Sequence, residues 1–129
     1  MKVTLEKAIV AEKALKDLSE TRLPIKTAYT IGKMLRLIAP ESAAFNKQRN
    51  DLILELGEKD EGADTVTIKP NTPAWTEFTE KLQELIAVEV ELAGVKPILL
   101  SAFGTAELTP NMILQLGDFI DMEEEEERV

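Results

Sequence analysis

The sequence predicts an α+β fold, in which an N-terminal helical hairpin packs with a small, mostly antiparallel sheet and two further helices. Apolar residues recur at helical spacing up to residue 56, and short β-branched or alternating segments occur only after it. With 129 residues, 44% of them hydrophobic, the chain is long enough for one core. We therefore expect a single domain over residues 1-120 and an acidic, mobile tail over residues 121-129.

The helical hairpin is the first predicted unit. One amphipathic helix spans about Thr4 to Ser19, with Thr4 as its N-cap, and Pro24 then lies in the first turn of a second helix. The apolar stripe of that second helix continues as far as Leu56. Because Pro40 lacks an amide hydrogen and disfavours helical geometry before it, we predict a break or a sharp kink at this residue.

Two further helices are predicted from a repeated start signal. Thr72-Pro73 and Thr109-Pro110 each place a threonine at an N-cap and a proline at the first helical position. Their apolar faces consist of Trp75, Phe78, Leu82, Leu85 and Ile86, and of Met112, Ile113, Leu116, Phe119 and Ile120.

Three segments predict strands. Residues 65–69 are rich in β-branched side chains, and residues 88–92 alternate strictly between apolar and charged ones. Gly94 then turns the chain into an apolar run over residues 95–100. Pro97 has no amide to donate to a ladder, so we expect this last strand to lie at a sheet edge.

The composition excludes several kinds of chemistry. The chain has no Cys and no His, which rules out thiolate nucleophiles, disulfides, Cys/His zinc sites and imidazole acid/base pairs. Its glycines form no phosphate-binding loop and no dinucleotide fingerprint. We therefore predict a protein that is not an enzyme, with no catalytic residues, cofactor, metal or small-molecule substrate.

The acidic residues that invite a catalytic or metal role have simpler explanations. The loop over residues 60–64 fails the EF-hand pattern, because Ile68 stands where that pattern needs a bidentate Glu. Glu89 and Glu91 lie on the solvent side of the alternating strand, which accounts for both. An enzyme that uses only Asp, Glu, Lys or Tyr29 is a further alternative, and it requires a deep pocket with converging carboxylates.

The net charge of −9 is unevenly distributed. Residues 1–56 contain ten Lys/Arg and seven Asp/Glu, whereas residues 57–129 contain five and seventeen. An acidic chain is repelled by phosphate backbones, so we expect no nucleic-acid partner. No segment has the length of a signal peptide core or of a membrane span, and we expect a soluble protein.

Two places are candidates for contact with a partner. Trp75 and Phe78 have the helical spacing of core residues, and partial exposure of Trp75 as an interface anchor is the alternative. The predicted edge strand is the second place, because unpaired strand edges recruit other chains. The candidate interaction residues are Trp75, Val95, Ile98 and Leu100.

Five segments in a fixed order are distinctive when they are taken together. They are Leu18-Ser19-Glu20, Leu23-Pro24-Ile25-Lys26 with Tyr29, Gly57-Glu58-Lys59-Asp60-Glu61-Gly62, Phe78-Thr79-Glu80-Lys81-Leu82-Gln83-Glu84-Leu85 and Val88-Glu89-Val90-Glu91-Leu92. In these segments the chain resembles a family of short proteins of unknown function from tailed bacteriophages and prophages. The resemblance covers most of the chain and implies a phage-encoded, non-enzymatic protein, either a virion component or an assembly component.

We accordingly expect a phage structural or assembly protein that contacts other protein subunits in several copies, in the virion or the host cytoplasm. The alternative is an acidic inhibitor, encoded by a phage or mobile element, that binds a basic surface of a host defence or regulatory protein. The run Glu123–Glu127 is interpreted as a solubilising tail, with mimicry of nucleic-acid phosphate and binding to a basic partner surface as the alternatives.

Overall fold

A computed structural model describes residues 1–59, 61–62 and 65–122 and confirms the α+β fold with its N-terminal helical hairpin. Two short 3-10 helices, Leu100–Phe103 and Gly117–Phe119, complete the helical part of the described chain. The four α-helices are α1 (Leu5–Ser19), α2 (Ile25–Leu56), α3 (Pro73–Ile86) and α4 (Pro110–Leu116); the strands are β1 (Lys2–Thr4), β2 (Glu58–Lys59), β3 (Val66–Thr67), β4 (Glu89–Glu91), β5 (Ile98–Leu99) and β6 (Ile120–Asp121).

Threonine side chains start three of the four helices, as the sequence predicts. The Oγ1 atom of Thr4 accepts a hydrogen bond from the Lys7 amide, at 3.3 Å. Thr72 caps α3 in the same way at 3.2 Å, and Thr109 caps α4 at 3.1 Å. Each hydroxyl satisfies one of the amides that the first turn of a helix leaves without an intrahelical acceptor.

Removing the cap of α4 should destabilise the protein. We expect Thr109→Ala to lower the free energy of unfolding by about 1 kcal/mol, because the Met112 amide loses its acceptor. Thr109→Ser keeps the hydroxyl and is the matched control, with a much smaller loss. Urea unfolding of both variants measures the difference, and equal losses would contradict a capping role for this oxygen.

The core is centred on α1, which packs against the first half of α2 and against α4. Three alanines on one face of α1, Ala8, Ala11 and Ala14, are fully buried and leave room for the neighbouring helices to approach closely. One polar link joins the hairpin inside this packing, where Ser42 Oγ donates to Glu12 Oε1 at 3.0 Å. The hairpin therefore provides most of the scaffold on which the other elements are placed.

Helix α2 runs as one element through Pro40, so the alternative of a break at this residue is wrong. Proline removes one hydrogen bond of the helical ladder, the one that would end at the Arg36 carbonyl. Ile38 and Ser42 flank it on the opposite side of the helix and are both buried. Tertiary packing on both sides of Pro40 therefore holds the backbone helical where local preference predicts an interruption.

The strands form three separate two-stranded ladders. β1 pairs with β4 and β2 with β3, both antiparallel, whereas β5 pairs with β6 in parallel. In the first ladder Val3 lies opposite Val90, and both side chains enter the core. β4 shows the predicted alternation, because Glu89 and Glu91 are exposed on either side of the buried Val90.

The end of α4 differs from the prediction. The sequence pattern continues the helix to Ile120, but the chain turns at Gly117, which adopts the left-handed region with φ of 47°. A residue without a Cβ enters that region at little cost. Ile120 and Asp121 consequently belong to β6, so the folded domain extends into the predicted tail, and residues 123–129 lie outside the described residues.

Candidate interaction surface

Two of the side chains proposed for contact at the predicted edge strand are buried, which corrects the candidate residues there. Val95 and Ile98 belong to the core, with 4% and 6% of their surface exposed, whereas Leu100 is partly exposed. β5 does lie at an edge, as predicted, because it belongs to a two-stranded ladder in which Ile98 is paired with Ile120 of β6. Val95 and Ile98 are therefore unsuited to contact a partner while the fold is intact.

Helix α3 provides a different surface. Every residue of α3 remains at least partly exposed, although its sequence is amphipathic. Trp75 is 39% exposed and its ring centroid lies 6.1 Å from that of Phe78, at an interplanar angle of 40°. Core packing, which the spacing favours for both residues, is thus wrong for Trp75 and incomplete for Phe78. The interface alternative for Trp75 is the one compatible with its exposure.

This exposure follows from where α3 packs. It lies against the second half of α2, whereas the buried residues of α2 all fall between Thr27 and Ser42. The second half of α2 has only half-buried or exposed apolar side chains, including Leu52 and the 66% exposed Leu54. We call residues 43–56 of α2, the β2–β3 ladder and α3 the distal lobe. Within this lobe Phe45 and Leu85 are only partly buried and pack against the main core from its margin.

An open groove runs between the two helices of the distal lobe. It encloses about 330 Å³ and has Leu52 on the α2 side and Leu85 on the α3 side, with Val88 at the end. The charged groups Lys81 and Glu84 border it. An apolar floor with charged borders is the usual arrangement at a protein contact.

Arg49 adds an unusual feature to the same lobe. Its guanidinium carbon lies 5.9 Å from the ring centroid of Phe45, within the range of a cation–π contact. Its Nε atom is buried, and none of the described residues accepts a hydrogen bond from it. A buried donor without an acceptor costs free energy.

The carboxylates of Glu89 and Glu91, the candidates for acid/base catalysis, are exposed to solvent. Glu91 Oε2 lies 2.9 Å from the N-terminal ammonium group, whose hydrogen bond and charge lower the pKa of this carboxyl. A general acid needs the opposite direction of shift. Among the described residues there is also no cluster of three metal-ligating side chains. The acidic loop over residues 60–64 lies partly outside them.

Two other grooves lie outside the distal lobe. One of about 300 Å³ is bordered by Lys26 and Lys96 next to β5. The other, of about 410 Å³, lies between the start of α1 and the end of α4. There Lys7 Nζ donates a hydrogen bond to Asp118 Oδ2 at 2.7 Å. That carboxylate is paired with a lysine, and the first groove has no carboxylate in its lining. The lining of the second groove also includes the carboxylate of Glu6.

No family model, curated protein or solved structure matches this chain. Within the part of the chain that the structure describes, no helix combines the length and the apolar character that crossing a bilayer requires. The described surface therefore defines a class of protein by its geometry alone: a small α+β domain with an incompletely covered helical lobe.

Proposed function

We propose that this chain is a non-catalytic structural or assembly protein of a phage particle, which acts in several copies through protein–protein contacts. The observation that supports the contact role is α3, an amphipathic helix of 14 residues that all remain at least partly exposed. A surface helix of a monomer normally buries its apolar face against the core. An apolar face that its own fold covers only in part and that charges border is typical of a docking surface. The resemblance in sequence supports the phage context.

The chemistry of α3 also indicates what kind of surface it would contact. Trp75 is a large aromatic side chain of the type that dominates binding energy at interfaces. Three carboxylates, Glu77, Glu80 and Glu84, accompany a single cation, Lys81, on the same helix. The partner subunit should therefore present an apolar pocket for an aromatic ring with basic residues at its border.

Truncating the aromatic anchor should weaken the contact without unfolding the chain. We expect Trp75→Ala to weaken binding to the partner subunit by at least about 30-fold, which corresponds to about 2 kcal/mol. Leu114→Ala is the control, because Leu114 is 79% exposed in α4, away from the distal lobe. Quantitative affinity purification with each variant measures retention of the partner. Equal retention by the two variants would argue against a docking role for α3.

The role in a particle is tested in the producing cell. The tagged chain should co-purify with virion or assembly-intermediate subunits in a fixed ratio, as identified by mass spectrometry. Deleting the gene should change the composition or the yield of particles. Particles of unaltered composition, yield and infectivity after the deletion would overturn the proposed function.

The acidic inhibitor is the second candidate, and the charge distribution favours it. Residues 57–129 have a net charge of −12, which suits a basic surface on a host protein. Such an inhibitor should form a discrete complex with one host protein, and salt should weaken that complex strongly. The same purification distinguishes the two candidates, because a particle component brings down several phage subunits instead.

A further inference from the structure

The outward side of α2 carries a continuous exposed stripe that is separate from the α3 surface. Its positions lie within about 60° of one another around a straight helix. Apart from the half-buried Gly32, the residues that define it are exposed. We call this set the outer stripe: Ile25, Tyr29, Gly32, Arg36, Ala43 and Leu54.

The outer stripe contains most of the strongly exposed apolar side chains of the described residues. Only four large apolar side chains among them are more than half exposed, and three of these are Ile25 at 85%, Leu54 at 66% and Tyr29 at 65%. Helices α1 and α3 both pack on α2, and its buried residues lie on the side opposite to the stripe. The stripe therefore points away from the rest of the fold, and isolated chains leave it in water.

Two pairs of stripe residues, Ile25 with Leu54 and Arg36 with Ala43, are nearly symmetric about Pro40, which is also exposed and lies near the same face. Ile25 and Leu54 stand 15 and 14 residues from Pro40 on its two sides. Arg36 lies four residues before Pro40 and Ala43 three residues after it. In an antiparallel pair, the long Arg36 side chain of one copy would therefore lie opposite the small Ala43 side chain of the other. A face with this arrangement is complementary to a second copy of itself that runs in the opposite direction.

The distribution of charge along α2 favours one relative orientation of two such helices, parallel or antiparallel. Between residues 25 and 40 the helix has three cations, Lys26, Lys33 and Arg36, and no acidic residue. Residues 41–56 have a net charge of −1. A parallel pair would bring the two cationic halves together, whereas an antiparallel pair brings each cationic half next to the weakly acidic second half of the other α2.

We propose that two copies of this chain form a two-fold symmetric dimer through the outer stripes of their α2 helices, which run antiparallel and cross near Pro40. Ile25 of each copy contacts Leu54 of the other, so the apolar contact occurs twice. Each Arg36 lies across the small Ala43 of the second copy. Gly32, next to which an added Cβ would find only open space, leaves room for the Lys47 side chain of the second copy.

This dimer deepens the proposed function, in which the chain acts in several copies, and its test uses the purified chain alone. Sedimentation analysis between about 1 and about 300 μM should show a transition from the 14.3 kDa chain to twice that mass. Trp75 belongs to α3 and is the only Trp, so its emission should stay constant during this transition. A single mass over the whole range, or an emission shift that accompanies dimerisation, would overturn the proposal.

Single-cysteine variants test the direction of the helices, and they are unambiguous because the chain has no native Cys. Ala39→Cys, next to the two-fold axis, should form a disulfide with itself under mild oxidation. Ile25→Cys and Leu54→Cys should not do so alone, but their mixture should form a disulfide between the two variants. Self-linking of Ile25→Cys without linking in the mixture would indicate a parallel pair and overturn the antiparallel arrangement.

A charge placed on the stripe should separate the copies. We expect Leu54→Lys to raise the dimer dissociation constant by at least about tenfold, because the new cation faces Ile25 and Lys26 of the second copy. Leu114→Lys makes the same change at an exposed leucine of α4 and should leave the constant unchanged. Equal effects of the two variants would overturn the proposal. If the chain does not dimerise but is still incorporated into particles, this inference alone is rejected. If the chain dimerises but is not incorporated into particles, the proposed function alone is rejected.

Discussion

Replacing Leu116 with alanine should lower the free energy of unfolding by about 2–5 kcal/mol, the usual cost of truncating a buried leucine. Leu116 is 1% exposed and belongs to the cluster that joins α4 to α1. The variant loses the transfer free energy of the removed atoms and leaves a cavity that its neighbours fill only partly. Because a domain of this kind has a total stability of about 5–15 kcal/mol, this is a large fraction of it.

The matched control for Leu116→Ala lies two residues earlier in the same helix. Leu114 is 79% exposed, so Leu114→Ala should change the free energy of unfolding by no more than about 0.5 kcal/mol. Urea unfolding with a common slope for wild type and both variants gives the comparison. Similar losses for both leucines would mean that α4 is not oriented as described, because only burial distinguishes the two positions.

Replacing Pro40 with alanine should stabilise the protein by about 2 kcal/mol. Proline in a helix interior is about 3 kcal/mol less favourable than alanine, and Pro40 lies inside the continuous α2. The variant regains an amide that can donate to the Arg36 carbonyl one turn earlier. Part of the gain is offset, because proline also restricts the unfolded chain by about 0.4–1 kcal/mol. Pro40 is exposed, so no core contact is lost.

Pro40→Gly separates the two contributions to this effect. It also removes the ring and restores the amide, but glycine is about 1 kcal/mol worse than alanine in a helix. We therefore expect the stabilities to rank with the alanine variant first and the glycine variant between it and wild type. Thermal or urea unfolding measures the order. A destabilised alanine variant would indicate that the proline-containing geometry is needed to seat the distal lobe.

The interaction properties of the molecule follow from an uneven distribution of burial along α2. The first half of this 32-residue helix shares the core with α1, and there Ile31, Met34 and Ile38 are fully buried. Beside its second half lie α3 and the β2–β3 ladder. One helix therefore supports both a stable hairpin and a lobe whose apolar side chains are partly in water. The two proposals use different sides of this helix, so they can be tested independently.

The sequence predicted the helix starts well and the exposed surfaces poorly. The caps at Thr4, Thr72 and Thr109 were predictable because a cap depends on side chains within three residues of it. The strand does lie at an edge, but two of its proposed contact residues, Val95 and Ile98, are buried, and the pairing of Ile98 with β6 uses a segment that the helical pattern had assigned to α4. Only the turn at Gly117 makes that pairing available.

Local chemistry by itself determined the α+β class, the three threonine caps, the alternation around Val90 and the absence of Cys and His chemistry. The tertiary structure alone decided that α2 passes unbroken through Pro40, that Val95 and Ile98 are internal, and that Trp75 is exposed. The physical reason is the separation along the chain of the residues that interact. Capping and periodicity act between residues a few positions apart, whereas burial depends on contacts between segments that are distant in the chain, such as β1 and β4.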